Sequence, residues 1–406
     1  MGILVQKFGG TSVESYEKMN EVCKIVKSYK EKDKNLELVV VVSAMGRKGA
    51  PYATDTLIGL CKEIDAKPQK RELDILMSCG EIISGTILVN MLKSQNIDAV
   101  FLTGAQAGII TSDDFSNAKI LDINPFRIIN ELEKKKVVVI AGFQGATEDG
   151  EITTLGRGGS DTSAVAIGKA LDCDTVEIYT DVDGIMTADP RVEPGAKVLK
   201  CIDYEEVFQM ADKGSKVIHP RAVQLAKSGN ITLAIKNTLN PTCEGTKICL
   251  ECDNKNCKKS YEKNFNFMAT VANKDKIAQV RINSKEEAFI NIINELGKNN
   301  ISIDMINFFI DEKIFIIDEE NIKSLEDILN KFEIEYEINK NLAKVTLICS
   351  NMTGIPGIMS RVVSSLAKSK IELLQTSDSN MTISCLVNKQ DMSSAVHAIH
   401  NEFYLK

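Results

Sequence analysis

The chain has 406 residues, 44% of them hydrophobic and 26% charged, which is the balance of a globular protein with two or three domains. Its formal net charge of −7 gives no general electrostatic case for binding nucleic acid. No apolar run approaches the roughly 20 residues that a membrane span needs, and a strand pattern directly after Met1 leaves no room for a signal peptide. The 11 cysteines are therefore predicted to be reduced thiols in a cytoplasmic protein.

The first predicted strand, Ile3–Phe8, carries a lysine near its end, and two glycines follow it. Gly9 and Gly10 allow backbone N–H groups to approach a ligand closely, and the next two residues carry hydroxyls that suit a helix N-cap. Because a helix N-terminus favours an anion and Lys7 adds positive charge, this segment predicts a phosphate site. It is not a Walker or dinucleotide-binding pattern, and a strand and turn with a solvated lysine is the alternative.

Up to about residue 262, apolar strand-like runs alternate with helix-like stretches. The runs are continuous, which indicates strands buried on both faces by helices, in an α/β sandwich around a mainly parallel sheet. Ligands in such folds bind outside the carboxyl ends of strands, so we expect the functional residues just after the runs. The predicted strands are Ile3–Phe8, Leu38–Val42, Ala99–Leu102, Val137–Ala141 and Val176–Tyr179, and the clearest helices are Leu73–Leu92 and Pro125–Lys134.

Candidate substrate residues lie in the segments between these runs. Glu81 falls inside an apolar helical stretch, where an exposed or paired carboxylate is the simpler interpretation. Three glycines surround Arg157 in Gly156–Gly159, and the guanidinium fork of that arginine matches a carboxylate. Asp161 sits where the next helix begins and could be only its N-cap.

Two later segments place charged residues in turns. Thr180–Ile185 contains two aspartates, with Arg191 shortly after it, and could bind a nucleotide or simply turn the chain. Lys216 lies in a loop before a helix, and a surface lysine is the alternative there. His219 precedes a proline and is predicted to pack rather than to act as a base.

From about Phe265 glycine becomes rarer, and two copies of a strand–helix–strand–strand–helix pattern follow. The copies resemble a pair of small regulatory modules. In the second, the loop Asn351–Gly357 suits a small ligand at a helix N-terminus, whereas the first has neither glycine nor proline at Asn283–Glu287. The strand after the first helix of each copy is predicted at Ile301–Ile306 and Ile371–Leu374.

A cysteine cluster separates the two parts of the chain. Cys249 and Cys252 have zinc-ligand spacing, but Cys243 and Cys257 lie at irregular distances from them. We predict free thiols, with a structural Zn²⁺ site as the alternative.

Together these motifs resemble those of aspartokinases, members of the amino-acid kinase superfamily that end in tandem ACT domains. The resemblance covers essentially the whole chain. Within the family, Ser43–Asp55 and Ser377–Ser379 are most similar to the diaminopimelate-sensitive type of spore-forming bacteria. The matching motifs are Lys7–Val13, Val42–Gly46, Gly80–Glu81, Gly156–Thr162, Thr180–Ile185, Ala188–Arg191 and Lys216–Arg221.

The resemblance implies a three-layer kinase sandwich in residues 1–262 and ACT regions in residues 263–340 and 341–406, where the first strand of the first region could belong to the second. It also implies transfer of the ATP γ-phosphoryl to the side-chain carboxylate of L-aspartate, giving 4-phospho-L-aspartate for lysine, diaminopimelate, threonine and methionine biosynthesis. An amino-acid end product would regulate the enzyme by feedback. The nucleophile is already ionised at neutral pH, so no general base is required.

The family's functional residues transfer to matching positions of this chain. Lys7 and Asp161 would be catalytic, and no residue is a convincing metal ligand, so Mg²⁺ would arrive with ATP. Residues expected to contact ATP are Lys7, Gly9, Gly10, Tyr179, Thr180, Asp181, Asp183, Ile185, Arg191 and Lys216. Residues expected to contact L-aspartate are Ser43, Thr54, Glu81, Arg157, Ser160 and Asp161. An effector, meso-diaminopimelate or lysine, would contact Ser302, Ile303, Asp304, Asn351, Ile355 and Ser377.

Two other functions remain open at this stage. A kinase of the same superfamily could act on glutamate or N-acetylglutamate, although those enzymes lack tandem ACT modules. A non-catalytic effector-binding subunit is the second, and the complete set of Lys7, Arg157, Asp161 and Lys216 argues against it. Exposed sheet edges in the repeat predict a homo-oligomer.

Overall fold

The structure is a computed structural model that describes residues 2–214, 217–250, 269–283, 286–310, 312–349, 352 and 355–404. The chain divides into two compact units. The first consists of Met1–Ile185, Val198–Ala211 and Lys216–Cys257, and the second of Met186–Lys197, Asp212–Ser215 and Lys258–Lys406.

The first unit is an α/β structure with two sheets. Its strands are β1 (Ile3–Phe8), β2 (Glu37–Val42), β3 (Ala99–Leu102), β4 (Ile109–Thr111), β5 (Ile120–Ile123), β6 (Val137–Ala141), β7 (Gln144–Ala146), β8 (Ile152–Thr154), β9 (Thr175–Thr180), β10 (Cys201–Ile202), β11 (Thr232–Asn237) and β12 (Thr246–Ile248). The helices of this part of the chain are α1 (Tyr16–Lys32), α2 (Thr54–Ile64), α3 (Lys70–Ser94), α4 (Phe126–Glu133), α5 (Gly159–Ala170), α6 (Tyr204–Asp212) and α7 (Pro220–Gly229).

The larger sheet has eight strands in the order β10-β12-β11-β9-β1-β2-β6-β3, and all its pairs are parallel except β11 with β12. Residues of α1 and α3 pack on the face that carries Phe8, Val40 and Val42. On the other face α5 lies close enough that Gly168 faces Val5 and Val176. Helices therefore bury both faces, as the continuous apolar runs predict, and the predicted α/β sandwich is confirmed.

The smaller sheet, in the order β5-β4-β7-β8, is absent from the sequence-based prediction. Three of its strands have only three residues, and β7 contains a glycine, so no apolar run marks them. Its importance is positional, because β8 leads directly into the glycine-rich segment around Arg157.

Helix α3 is long and apolar enough to span a membrane by length and composition, with a mean hydropathy of 1.7 over 18 residues. That window is 56% buried inside the protein. Two carboxylates, Asp74 and Glu81, point to the buried side of the helix, with 0% and 2% of their surface exposed. We interpret α3 as a core helix of the first unit.

The second unit contains a six-stranded antiparallel sheet in the order β14-β15-β13-β16-β18-β17. Each half of it follows the predicted strand–helix–strand–strand–helix pattern. The elements are β13 (Ala269–Asn283), α8 (Glu286–Lys298), β14 (Asp304–Phe308), β15 (Glu312–Asp318), α9 (Ile322–Lys331), β16 (Tyr336–Cys349), α10 (Ile358–Lys368), β17 (Gln375–Asp378), β18 (Thr382–Asn388) and α11 (Met392–Tyr404).

Two predicted strands of the repeat are displaced. The structure places β14 and β17 three to four residues later than the runs Ile301–Ile306 and Ile371–Leu374. Ile301 and Ile371 are only 6% and 7% exposed because they pack into the two cores of this unit just after a helix ends. Ile301 and Ile371 are therefore apolar because they lie in a buried connection between a helix and a strand, and not because they belong to a strand.

The two halves of the repeat share their longest strands. The first part of β13 pairs with the end of β16, from Ala269 with Cys349 to Lys274 with Lys344, and its later residues pair with β15 as well. The expected boundary at residues 340/341 falls inside β16. The expected boundary near residue 262 lies outside the described residues.

The second unit also includes a segment from the middle of the kinase-like sequence. Ala188, Val192 and Ala196 of Met186–Lys197 pack in the core that α10 and α11 share. The backbone carbonyl of Thr187 accepts a hydrogen bond from Val271 N–H at 2.8 Å. The chain thus leaves the first unit after Ile185 and returns to it at Val198.

Candidate active site

A lysine–aspartate pair links the end of β1 to the start of α5. Lys7 Nζ lies 2.5 Å from Asp161 Oδ1, and the two side chains are 11% and 13% exposed. Gly158 is the N-cap of α5 and Asp161 lies in its first turn, so the interpretation of Asp161 as only an N-cap is wrong. The pair unites the segments that the sequence predicts to hold phosphate and substrate.

The two glycines after Lys7 are held against neighbouring backbone. Gly9 N–H donates to the carbonyl of Tyr179 at 3.2 Å, and the carbonyl of Gly10 accepts from Gly46 N–H at 3.0 Å. A Cβ on Gly10 would lie 2.8 Å from the carbonyl oxygen of Gly46 and 2.9 Å from that of Ala44. Only glycine fits there, and the cradle is built by β1, β2 and the turn after β2 together.

The helix predicted directly after the glycines begins later than expected. Gly10–Ser12 form a 3₁₀ turn, and α1 begins at Tyr16 with Ser15 as its N-cap. Ser12 is buried and shares a 2.6 Å hydrogen bond with Thr238, so its hydroxyl stabilises the turn and does not cap a helix.

Glu81 is a buried carboxylate with one unused oxygen. Its Oε1 accepts a hydrogen bond from Ala44 N–H at 2.9 Å, and its Oε2 has no partner among the described residues. Burial raises the pKa of Glu81 to about 8, against the opposing effect of the backbone N–H donors. Glu81 is therefore neither exposed nor paired with a cation of the described residues, so the simpler interpretation of it is wrong.

The residues around Glu81 include the other predicted substrate contacts. Gly80 packs so closely that a Cβ would lie 2.7 Å from Ala44 Cβ and 3.0 Å from the carbonyl oxygen of Tyr52. Ser43, just before Ala44, and Thr54, which opens α2, are both half-buried. The structure therefore brings the segments of Ser43, Thr54 and Glu81 to one place.

The segment before α5 presents Arg157 to solvent. No ion pair of Arg157 is found among the described residues. Gly158 has a φ of 71°, and a Cβ on it would lie 2.1 Å from the ring of His219, so His219 packs here as predicted. Ser160 follows, half-buried, with its Cβ close to Gly142.

The predicted nucleotide segment after β9 is fixed by polar side chains. Asp181 pairs with Arg47 at 2.8 Å, and Thr180 donates to Asp181 at 3.2 Å. Asp183 Oδ1 accepts hydrogen bonds from the side-chain amides of Asn237 at 2.7 Å and Asn240 at 3.2 Å. Only the fold brings Arg47 and these two asparagines to this segment, so no local pattern in the sequence marks them.

Two predicted nucleotide contacts need correction at the side-chain level. Tyr179 is 2% exposed and stacks on Phe8 at 4.7 Å between ring centroids, and Ile185 is 1% exposed. Their side chains belong to the core, so only their backbone could face a ligand. Arg191 lies in the second unit and pairs with Asp189 at 2.7 Å, and Lys216 lies outside the described residues.

The predicted effector residues all belong to the second unit. Asp304 already has a cationic partner, the buried Lys344. Burial alone would raise the pKa of Asp304, but the ion pair prevails and holds it below its usual value. Any effector ammonium would therefore compete with Lys344, while Ser302 is exposed and Ile303 half-buried.

The second predicted effector site lies near a cavity of about 440 Å³. Ile355 lines it together with Asp378, which directly follows Ser377 at the end of β17. Asn351 and Gly354 of the same loop lie outside the described residues, whereas Gly357 is the N-cap of α10. The residues that line the cavity are Met352, Ile355, Ile358, Met359, Asp378, Ser379, Asn380 and Ile383.

The cysteine cluster is only partly described. Cys243 Sγ lies 3.6 Å from the carbonyl oxygen of Asp183, and Cys249 follows β12. Cys252 and Cys257 lie outside the described residues, so the choice between thiols and Zn²⁺ stays a prediction.

Comparison with known families identifies the class of protein that carries this site. Residues 2–237 match the family model of the amino acid kinase family, and residues 337–401 match an ACT domain model. The chain belongs to the amino acid kinase family. The ACT domain match falls on the second half of the antiparallel sheet and indicates allosteric regulation.

Full-length relatives define the activity. The chain is 38% identical to aspartokinase 1 and 39% identical to aspartokinase 2 of Bacillus subtilis, over 100% of this chain and 100% and 98% of theirs. The structure resembles that of E. coli aspartokinase III in complex with aspartate and ADP, with a TM-score of 0.80 and 25% identity over 99% of this chain and 100% of the other. This chain is therefore an aspartokinase, which phosphorylates the side-chain carboxylate of L-aspartate with ATP in amino-acid biosynthesis.

Proposed function

We propose that phosphoryl transfer takes place where β1, the turn after β2 and the start of α5 meet, with Lys7 between the two reacting anions. The observation that carries the proposal is the Lys7–Asp161 pair at 2.5 Å, next to the glycine cradle. The barrier to this reaction is the approach of a carboxylate to the γ-phosphoryl group and the charge that develops on the transferring group. A fixed ammonium at this point lowers the energy of the approach of the two anions and also stabilises the charge that develops on the transferring group.

Asp161 holds the Lys7 ammonium in place. The N-terminal end of α5 faces the same point and adds a partial positive charge that favours phosphate oxygens. Gly10 fits against the carbonyls of Ala44 and Gly46 only because it lacks a Cβ, and this close packing fixes the Gly9–Gly10 turn beside Lys7, where the phosphates would lie. No side chain has to remove a proton, because the attacking carboxylate is ionised at neutral pH.

L-Aspartate is bound by its two charged α-substituents. Arg157 is the exposed guanidinium of the site and matches the α-carboxylate bidentately. Glu81 Oε2, which has no partner among the described residues, suits the α-ammonium. Ser43, Thr54 and Ser160 complete the pocket as polar, half-buried neighbours.

The nucleotide is framed by the segment after β9. Thr180, Asp181 and Asp183 are held by neighbouring side chains and offer a rigid edge for the ribose or base. Lys216 and Arg191 stay predicted contacts. No group of three potential metal ligands occurs in the described ranges. Mg²⁺ would arrive bound to the ATP phosphates and neutralise part of their charge.

Lys7→Ala and Asp161→Ala test the proposal. Each is expected to lower kcat about 10²-fold or more while leaving the far-UV circular dichroism spectrum unchanged. A control is Lys136→Ala, which breaks an ion pair with Glu131 at 2.9 Å in the same unit, just before β6 and so at the opposite end of the parallel sheet from Lys7. Near-normal turnover in the Lys7 or Asp161 variant, measured as aspartate-dependent ADP release, would overturn the assignment.

The regulatory unit is proposed to bind an amino-acid end product, with meso-diaminopimelate as the first choice and lysine as the second. The cavity next to Ile355 and Asp378 supports a site in the second module, because it combines apolar walls with a carboxylate for an ammonium. Isothermal titration with each amino acid decides between them, and no heat from either contradicts feedback by both. We also expect the protein to be cytoplasmic and to form a homo-oligomer. Light scattering, which gives the molar mass in solution, checks the oligomeric state.

A further inference from the structure

Asp74, in the first turns of α3, is a buried carboxylate for which the mechanism above has no use. It is 0% exposed. Its Oδ2 accepts from the backbone N–H groups of Ser116 at 2.8 Å and Thr154 at 2.7 Å. Its Oδ1 accepts from the hydroxyls of the same two residues, both at 2.9 Å. One side chain thus fastens two chain segments that lie 42 and 80 residues away.

Both fastened segments support the loop that carries Arg157. Thr154 ends β8 and is separated from Arg157 only by Leu155 and Gly156. A Cβ on Gly156 would lie 3.2 Å from both the carbonyl oxygen of Ser116 and the side-chain oxygen of the residue after it, so the loop lies directly on that segment. Asp74 therefore fixes the start of the loop and the surface on which it rests.

A second side chain holds the same loop. Arg221, at the start of α7, donates to the carbonyl of Leu155 at 3.0 Å and to Asn117 Oδ1 at 2.8 Å. The backbone that leads to Arg157 is thus held by both Asp74 and Arg221, although the Arg157 side chain is exposed. A flexible, exposed arginine can bind a carboxylate in one geometry only if its backbone is fixed.

Asp74 and Glu81 lie seven residues apart on α3, which is two helical turns, and both point into the protein. Glu81 touches the turn after β2, whereas Asp74 touches β8 and the segment before β5. One rigid helix therefore sets the separation between the group proposed for the α-ammonium and the loop proposed for the α-carboxylate.

We propose that Asp74 is a positioning residue for L-aspartate, acting through the Thr154–Arg157 segment. The inference rests on the proposed roles of Arg157 and Glu81. It predicts a specific defect, in which the aspartate site is disturbed while the nucleotide site, built on β1 and β9, is not.

The first experiment compares Asp74→Ala with Asp74→Asn in the full-length enzyme. The alanine variant leaves two backbone N–H groups unpaired and is expected to raise the aspartate KM about tenfold, with the ATP KM within about twofold of wild type. Asparagine can restore all four bonds, since its oxygen accepts from the N–H groups and its amide donates to the two hydroxyls, which can also accept. The asparagine variant is therefore expected to return the aspartate KM to near the wild-type value.

A matched pair of threonines separates positioning from general loss of stability. Thr153 and Thr154 are adjacent, both 0% exposed, and Thr153 shares its hydroxyl with Thr111 and not with Asp74. Thr154→Val is expected to raise the aspartate KM about threefold, whereas Thr153→Val is expected to lower the melting temperature similarly and leave that KM unchanged. This pair decides the question even if Asp74→Ala does not fold.

The route of the effect is tested in an Arg157→Ala background. If Asp74 acts through Arg157, adding Asp74→Ala to Arg157→Ala changes the aspartate KM less than about twofold further. Equal rises in the aspartate and ATP KM values, equal effects of the two threonine variants, or full additivity with Arg157→Ala would each overturn the inference alone. A wild-type enzyme without aspartate-dependent ADP release would instead overturn the proposed function, and this inference with it.

Discussion

Glu81 shows how one buried group can make substrate binding depend on pH. Because burial raises its pKa to about 8, Glu81 is mostly protonated in the free enzyme at neutral pH. Only the ionised form pairs with the α-ammonium of L-aspartate, and its fraction grows as the pH rises towards 8. The aspartate KM is therefore expected to fall up to about tenfold between pH 6.5 and 8.

Glu81→Gln provides the check on this prediction. Glutamine keeps the hydrogen bond from Ala44 N–H but cannot ionise. In steady-state assays its aspartate KM should be higher than that of wild type at pH 8 and nearly constant from pH 6.5 to 8. Parallel pH profiles for the two enzymes would show that Glu81 does not titrate during aspartate binding.

Glycines and strand ends mark Lys7, Arg157 and Asp161 locally in the sequence, and the structure brings Lys7 and Asp161 within 2.5 Å of each other; their roles stay predictions. Glu81 and Asp74 carry no such local mark, because their neighbours in the sequence are typical of an ordinary amphipathic helix. What makes these two carboxylates special is their burial and their partners, Ala44 and Thr154, which lie far away in the chain. No local pattern encodes that.

At the scale of secondary structure, the start of α5 depends on Gly158. Its φ of 71° is costly for any residue with a Cβ, and that Cβ would meet the ring of His219 at 2.1 Å. Gly158→Ala is expected to lower the free energy of unfolding by about 2 kcal/mol or more and to reduce kcat. Urea unfolding followed by circular dichroism measures the first, and ADP release the second.

Gly59 supplies the matched control within α2. It lies in the helix interior, and nothing lies within 4 Å of the position of an added Cβ. Gly59→Ala should raise the free energy of unfolding by about 1 kcal/mol, because alanine has the higher helix propensity. Similar stabilities for the Gly158 and Gly59 variants would mean that the backbone at α5 can relax without cost.

Five strands of the larger sheet were predictable, whereas the six-residue β11 and the shortest strands were not. Continuous apolar runs gave β1, β2, β3, β6 and β9 to within a residue at each end. The three-residue strands β4, β7 and β8 have no such signal, yet β8 carries Thr154, one of the two residues that Asp74 holds, and leads to Arg157. Periodicity therefore missed the sheet that supports the substrate loop.

At the scale of the whole molecule, each unit buries a titratable group, and the two groups make stability depend on pH in opposite directions. In the first unit, the raised pKa of Glu81 means that the folded state holds a proton that the unfolded chain releases above about pH 4.5. Glu81 therefore stabilises the first unit at low pH and loses that contribution as the pH rises from about 4.5 to 8.

In the second unit His400 acts in the reverse direction. It is 2% exposed, its Nε2 lies 2.9 Å from Thr187 Oγ1, and its ring stacks on Tyr404. Burial lowers its pKa below the usual 6.5, an effect that Glu193 opposes and that His397 and Lys197 reinforce. The unfolded chain thus takes up the proton first, so the second unit loses stability as the pH falls below about 6.5.

Calorimetry of the full chain from pH 5.5 to 8 is therefore expected to show opposite shifts for the two units. Acidification should raise the unfolding temperature of the first unit and lower that of the second below pH 6.5. His400→Gln should remove up to about 1.4 kcal/mol per pH unit from the slope of the second transition, and Glu81→Gln a similar amount from the first. The contrary outcome is that either variant changes the pH slope of the other unit's transition, which would mean that the two units unfold together as one cooperative body. The segment Met186–Lys197 would then be the stretch of chain that couples them, because the chain leaves and re-enters the first unit at its ends and Thr187 in it contacts His400.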